Sequence, residues 1–204
     1  MPKIVDHEAQ RGRFAEAAIR LIARDGFEGT TMRAVAGEAG LSYGSLFHYF
    51  ESKEQLLAQA VRHLTAQQTR RVNAFASRRS GLQALRQLLY DDALVDASTR
   101  DEAVVWLAFL YRAALERPFA AMYGELIEGW LTRIRQMLEE ARANGEVCPE
   151  LDCEAEALAV WAFSSGVAQQ GLLQPRSLPP GRQRKLIAAY LERLGAARNM
   201  PNQL

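Results

Sequence analysis

A short run beginning at Leu41, LSYGSLFHYFESKEQL, crowds Ser42, Tyr43, Ser45 and His48 around Gly44. Hydroxyls that donate or accept, rings that hydrogen-bond or stack, and a glycine that admits a close backbone are groups suited to reading base edges in a major groove. Thr31 and Lys53 stand where helices should begin, and free N–H groups and the helix macrodipole favour phosphate there. Tyr49 adds a hydroxyl and Arg33 a cation. The candidate contacts to double-stranded DNA are therefore Thr31, Arg33, Ser42, Tyr43, Gly44, Ser45, His48, Tyr49 and Lys53. The same residue types also suit a solvated connector helix. Spacing alone leaves both readings open.

Holding such a face outward requires a helix-turn-helix. Thr30 or Thr31 caps a helix whose apolar side is Met32, Val35, Ala36 and Ala39, and Gly40 with Leu41 makes a tight turn. Ser42 caps the short helix, with Leu41 and Leu46 pointing inward. Upstream, Phe14, Ala17, Ala18, Leu21 and Ile22 follow the helical period, and Gly26 ends that helix. Ser52 with Gln55 has capping-box spacing and opens a long fourth helix reaching about Ser77. Ser80 with Gln83 and Thr99 with Glu102 repeat the pattern for the fifth and sixth. Pro118 sits in the first turn of a seventh helix, which Asn144-Gly145 closes. Asp152 caps an eighth helix reaching about Leu173, and Pro175, Pro179 and Pro180 precede a ninth ending near Gly195.

These signals predict an all-α protein of nine helices. A three-helix DNA-binding unit would occupy residues 1–52, and a larger effector-binding and dimerisation bundle residues 53–204. The apolar run from Val104 to Leu115 predicts a helix wrapped on most sides.

The chain has 204 residues, ample for a core, and is 49% hydrophobic and 24% charged. Net charge is +1, and residues 1–60 carry seven Lys or Arg against eight Asp or Glu. Any basic DNA-facing surface must come from how charges are placed. Cys148 and Cys153 are too few for a disulfide framework. The N-terminus lacks a secretory apolar run, and no stretch nears ~18 consecutive apolar residues. A cytoplasmic protein with no membrane partner is expected.

Leu186, Ile187, Tyr190, Leu191 and Leu194 make one stripe on the ninth helix, and Leu158, Ala162 and Gly166 lie on the eighth. Two such helices from each of two copies would form a four-helix interface; the alternative is a ninth helix that packs onto its own core. Trp106, Phe109, Tyr123, Trp130 and Trp161 are candidate effector contacts, since aromatic faces attract organic cations. Aromatics on apolar helices more often serve the core. CPELDC, framed by Cys148 and Cys153, has neither the spacing nor the histidines of a metal site, and plain free thiols are favoured over a redox switch. No motif calls for a cofactor, and no catalytic constellation recommends an enzyme.

The segment from Phe27 to Val61, FEGTTMRAVAGEAGLSYGSLFHYFESKEQLLAQAV, closely resembles the DNA-binding region of TetR-type bacterial transcriptional regulators. The matching elements are Gly29-Thr30-Thr31, Val35-Ala36 through Ala39-Gly40-Leu41-Ser42, Phe47-His48-Tyr49-Phe50, and Ser52-Lys53-Glu54 with Leu56-Leu57. With the first helix the match covers about residues 9–61. The resemblance implies an all-helical homodimer whose binding to operator DNA is controlled by a small-molecule effector. It places Thr31, Tyr49 and Lys53 on phosphates and Ser42, Tyr43, Gly44, Ser45 and His48 along the groove. Many members carry Lys where Tyr43 stands and Tyr where Phe47 stands, so a cation and a hydroxyl are missing here. WLAFLYRAALERP, from Trp106 to Pro118, with Tyr123 and Trp130, is faintly similar to choline-responsive BetI-type repressors. A repressor is the leading expectation; an activator, a thiol-responsive regulator and a helical ligand-binding protein without a DNA role are the alternatives.

Overall fold

The computed structural model describes residues 7–76 and 79–196. These form nine helices and no strand: α1 (His7–Gly29), α2 (Met32–Glu38), α3 (Tyr43–Phe47), α4 (Lys53–Ala76), α5 (Gly81–Ala93), α6 (Arg100–Leu115), α7 (Arg117–Ala143), α8 (Cys153–Leu173) and α9 (Pro180–Ala196). The expected end of α4 at Ser77 lies outside the described residues.

By packing, the chain divides into two compact units. The first comprises residues up to Gln67 together with Ser98–Tyr123, and the second comprises Gln68–Ala97 and the residues from Gly124 onward. Packing therefore cuts the chain elsewhere than between residues 52 and 53, because α6 lies against α1 and joins its unit.

In the first unit α1 buries its expected stripe, and Ala15 and Ile19 widen it. A wider apolar face follows from having two neighbours, α2 and α6. Gly26, at φ 74°, breaks the helical path of α1 before its last turn. The expectation of a sixth helix wrapped on most sides is corrected. α6 buries Val105 and Phe109 but leaves Tyr111 and Leu115 each 66% exposed.

In the second unit α5 packs on α8 and α9. Leu85, Leu88, Leu89, Val160, Ile187 and Leu191 are core residues there. Asp152 caps α8 as expected, its Oδ1 accepting from the amides of Glu154 and Ala155 at 3.0 and 3.1 Å. Ser80 and Thr99 stand at N-cap positions, but neither side chain makes the cap hydrogen bond. The start of α5 is closed instead by Glu140 Oε2, accepting from Gly81 N at 3.2 Å, and Glu146 Oε2, accepting from Leu82 N at 2.7 Å. A carboxylate is a stronger acceptor than a hydroxyl, so the distant residues win. Gln183, fully buried, bonds both backbone groups of Val95 and the carbonyl of Leu178.

Candidate nucleic-acid interface

The interface is built from short-range contacts. Thr31 Oγ1 accepts from Ala34 N at 3.2 Å and Ser42 Oγ accepts from Ser45 N at 3.0 Å, so both hydroxyls act as N-caps. α2 ends in a Schellman arrangement: Leu41 N donates to Ala36 O at 3.0 Å, and Gly40 takes φ 64°. Arg13 Nη2 donates to Ala39 O at 2.7 Å and ties the turn to α1. Leu46 is fully buried and anchors α3, and the buried rings of Phe14 and Phe50 meet edge-on at 6.1 Å.

With Leu46 inward, Ser42, Tyr43, Gly44 and His48 are exposed and Ser45 is half-buried. A methyl group at Gly44 would meet nothing within 4 Å, so internal packing does not demand glycine there. Phe47, not expected to contribute, is 47% exposed one turn beyond Tyr43. The two rings meet edge-to-face at 4.9 Å, and the exposed Arg33 lies over Tyr43 at 5.2 Å. Four-residue spacing on a helix was the available signal for Phe47.

The expected phosphate contacts are differently occupied. Tyr49 Oη donates to Gln10 Oε1 at 2.7 Å and lies 2.8 Å from His7 Nδ1. Lys53 Nζ donates to Phe27 O at 2.9 Å and Glu28 O at 3.3 Å, and sits over the Phe27 ring at 4.4 Å. Two of the three ammonium N–H groups are thus taken internally. Glu54, beside Lys53, has its carboxyl held below the usual range, chiefly by its own backbone amide, with Ser52 and Arg112 adding to the effect. Sequence reasoning did not single out Arg112 for this region. It ion-pairs with Glu28 and Glu54, each at 3.4 Å, and with Glu116 at 2.7 Å.

Of the aromatic candidates, Trp106, Phe109 and Tyr123 come together in the first unit, with ring centroids 5.3–6.5 Å apart, and Phe119 joins Phe109 at 6.0 Å. Trp130 and Trp161 are buried, and both belong to the second unit. Of the dimer candidates, Leu158, Ala162, Gly166 and Leu186 are exposed, whereas Ile187, Leu191 and Leu194 are buried in their own unit. Tyr190 stacks on Phe163 at 4.4 Å and donates to Glu156 Oε1 at 2.6 Å; burial first and this bond second push its pKa up.

Cys148 and Cys153 are free. The Glu150 carboxylate, accepting at 2.8 Å, pushes the Cys148 thiol up, and burial does the same for Cys153. Both shifts disfavour the thiolate, the reactive form. Among the described residues no group of His, Cys, Asp and Glu is arranged to hold a metal, and no helix is long and apolar enough to cross a membrane.

Residues 15–60 match the family model of the bacterial regulatory proteins of the tetR family, and residues 81–196 match that of the BetI-type transcriptional repressor C-terminal region. The chain belongs to the TetR family. Its relatives include the HTH-type transcriptional regulator PksA of Bacillus subtilis, 31% identical over 193 residues, 94% of this chain and 93% of PksA. BetI of Burkholderia cenocepacia is 37% identical over 114 residues, 53% of this chain and 57% of that one. Among solved structures, a transcriptional regulator from Saccharomonospora viridis in complex with choline superposes with a TM-score of 0.81 at 25% identity. The match covers 91% of this chain and 96% of that one. A regulator from Rhodococcus sp. Rha1 gives 0.79 at 26% identity, covering 94% and 99%. As a TetR-family member the chain is a DNA-binding transcriptional regulator, with a ligand-binding region behind its helix-turn-helix.

Proposed function

We propose that this chain is a cytoplasmic repressor, active as a homodimer on a palindromic operator and released by a small organic effector. Residues 1–52 bind DNA, residues 53–204 take up effector and form the dimer, and no catalytic step is assigned to it. The observation that carries the reading is α3: one buried leucine, a serine cap and every remaining side chain turned at least partly outward. A five-residue helix stabilises little by itself, so its neighbours hold it for the face it presents.

In the dimer two copies of α3 enter successive major grooves, ~34–36 Å apart. The aromatic cluster of Trp106, Phe109 and Tyr123 supports an effector with cationic or aromatic character. The choline bound by the Saccharomonospora viridis regulator supports the cationic class. Because α6 packs on α1 and carries Arg112 to Glu54, a shift of α6 is felt where α4 starts. Coupling of ~1–3 kcal/mol is enough to change operator occupancy severalfold or more.

A gel shift on the DNA upstream of the chain's own gene tests this. Specific binding that weakens steeply with salt, and is lost in Tyr49→Phe with Lys53→Ala, is expected. Binding that survives both changes removes these residues from the phosphate contacts, and no specific binding at all removes the regulator. Choline titrated into the complex tests the effector class, and deleting the gene should raise transcription of its target.

A further inference from the structure

We propose that Phe47 selects thymine in the operator half-site through the thymine C5-methyl group, with Tyr43 and Arg33 as its positioning residues. This rests on α3 entering a major groove.

Leu46 alone seats α3 in the core, so Phe47, 47% exposed, adds little to packing. Nor does the ring hang loose. Its contact with Tyr43 is edge-to-face at 4.9 Å with the planes at 89°, and Arg33 of α2 covers Tyr43 at 5.2 Å. Three side chains from two helices therefore make a ledge beside Gly44 and His48. An exposed phenyl ring held this way keeps an apolar surface ready and loses little freedom on binding.

Chemistry then narrows what the ledge can tell apart. A phenyl group neither donates nor accepts, so the hydrogen-bonding pattern of a base edge is invisible to it. In the major groove the one apolar feature of the four base pairs is the thymine methyl. Arg33, pinned beyond Tyr43, sets the cation at the rim of the ledge, where a phosphate of the adjoining backbone would lie.

The test uses the full chain and duplexes that it retrieves itself from a random library. Each thymine of the retrieved half-site is replaced in turn by deoxyuridine, which removes only the methyl group. At one position per half-site the wild type should bind about fourfold more weakly, the effect of one buried methyl. Phe47→Ala, checked for its fold by circular dichroism, should bind the thymine and uracil duplexes alike. Equal wild-type affinity for every uracil duplex, half-sites without thymine, or a thymine preference that survives Phe47→Ala overturns the proposal. Each of those results leaves operator binding standing. A chain that retrieves no duplex brings down both readings.

Discussion

Arg112 of α6 lies 3.4 Å from Glu54, the second residue of α4. The same guanidinium lies over Phe27 at 4.6 Å and pairs with Glu28, so one side chain ties α6 to the end of α1 and the start of α4. Only 16% of that side chain is exposed, which sets it apart from surface ion pairs of negligible worth.

Replacing it with methionine keeps the length and removes the charge. Arg112→Met should lower stability by about 1–3 kcal/mol, read as a drop in urea midpoint, because three carboxylates lose a shared cation. An unchanged midpoint means the network contributes nothing to folding.

Asp92 gives a dependence on pH. Although the residue keeps some exposed surface, its carboxyl is packed deep among protein atoms, and burial pushes it up to about 6; the Ser164 hydrogen bond opposes this and the Asp91 charge adds to it. A raised carboxyl means the folded state keeps its proton where the unfolded chain has lost it. Its contribution therefore destabilises fully above pH ~6 and fades as pH falls toward ~4. Asp92→Asn should be more stable than the wild type at pH 7.5, by up to about 3 kcal/mol, with the gap closing near pH 4. Urea titrations of both proteins at pH 4.5, 6 and 7.5 measure it. A gap independent of pH places the titration elsewhere.

Gly81 stands where α5 begins, at φ 57°. A methyl group there would overlap Glu146 Oε2 and press on the Ala141 backbone, so Gly81→Ala combines an unfavourable conformation with a displaced cap. A loss of about 2–4 kcal/mol is expected, against about 1 kcal/mol for Glu146→Gln, which keeps the size but weakens the acceptor. Thermal melts of the two variants should fall in that order.

Dimerisation separates into two kinds of position. Leu191 is 3% exposed, so Leu191→Asp should unfold its unit and remove that unit's share of the far-ultraviolet helical signal. Leu158 and Leu186, 58% and 42% exposed, are free to meet a second copy. Leu158→Asp with Leu186→Asp should leave folded monomers in light scattering. A dimer that persists in this variant moves the interface away from α8 and α9.

What could be read from residue order was what local contacts decide. The caps by Thr31, Ser42 and Asp152 each span two or three residues, and the left-handed glycines Gly26, Gly40 and Gly145 are intrinsic to the backbone. The helix order and the seat of Leu46 followed from those signals and a 3.6-residue period. Ser80 failed as a cap because Glu146, 64 residues beyond Leu82, outcompetes it. No local pattern announces such a partner.

Periodicity likewise announces that a face is apolar without saying what covers it. Ile187 and Leu191 turned to their own unit, Leu158 and Leu186 outward, though all four read alike as residue types. By itself the order of residues determined an all-helical chain with Ser42, Tyr43, Ser45 and His48 along one short helix, in a segment that resembles a DNA-binding helix-turn-helix. Tertiary structure alone decided which carboxylates Arg112 joins, which aromatics Trp106 meets and that Tyr111 of α6 stays exposed. Those outcomes depend on segments distant in the chain competing for the same space and the same hydrogen bonds.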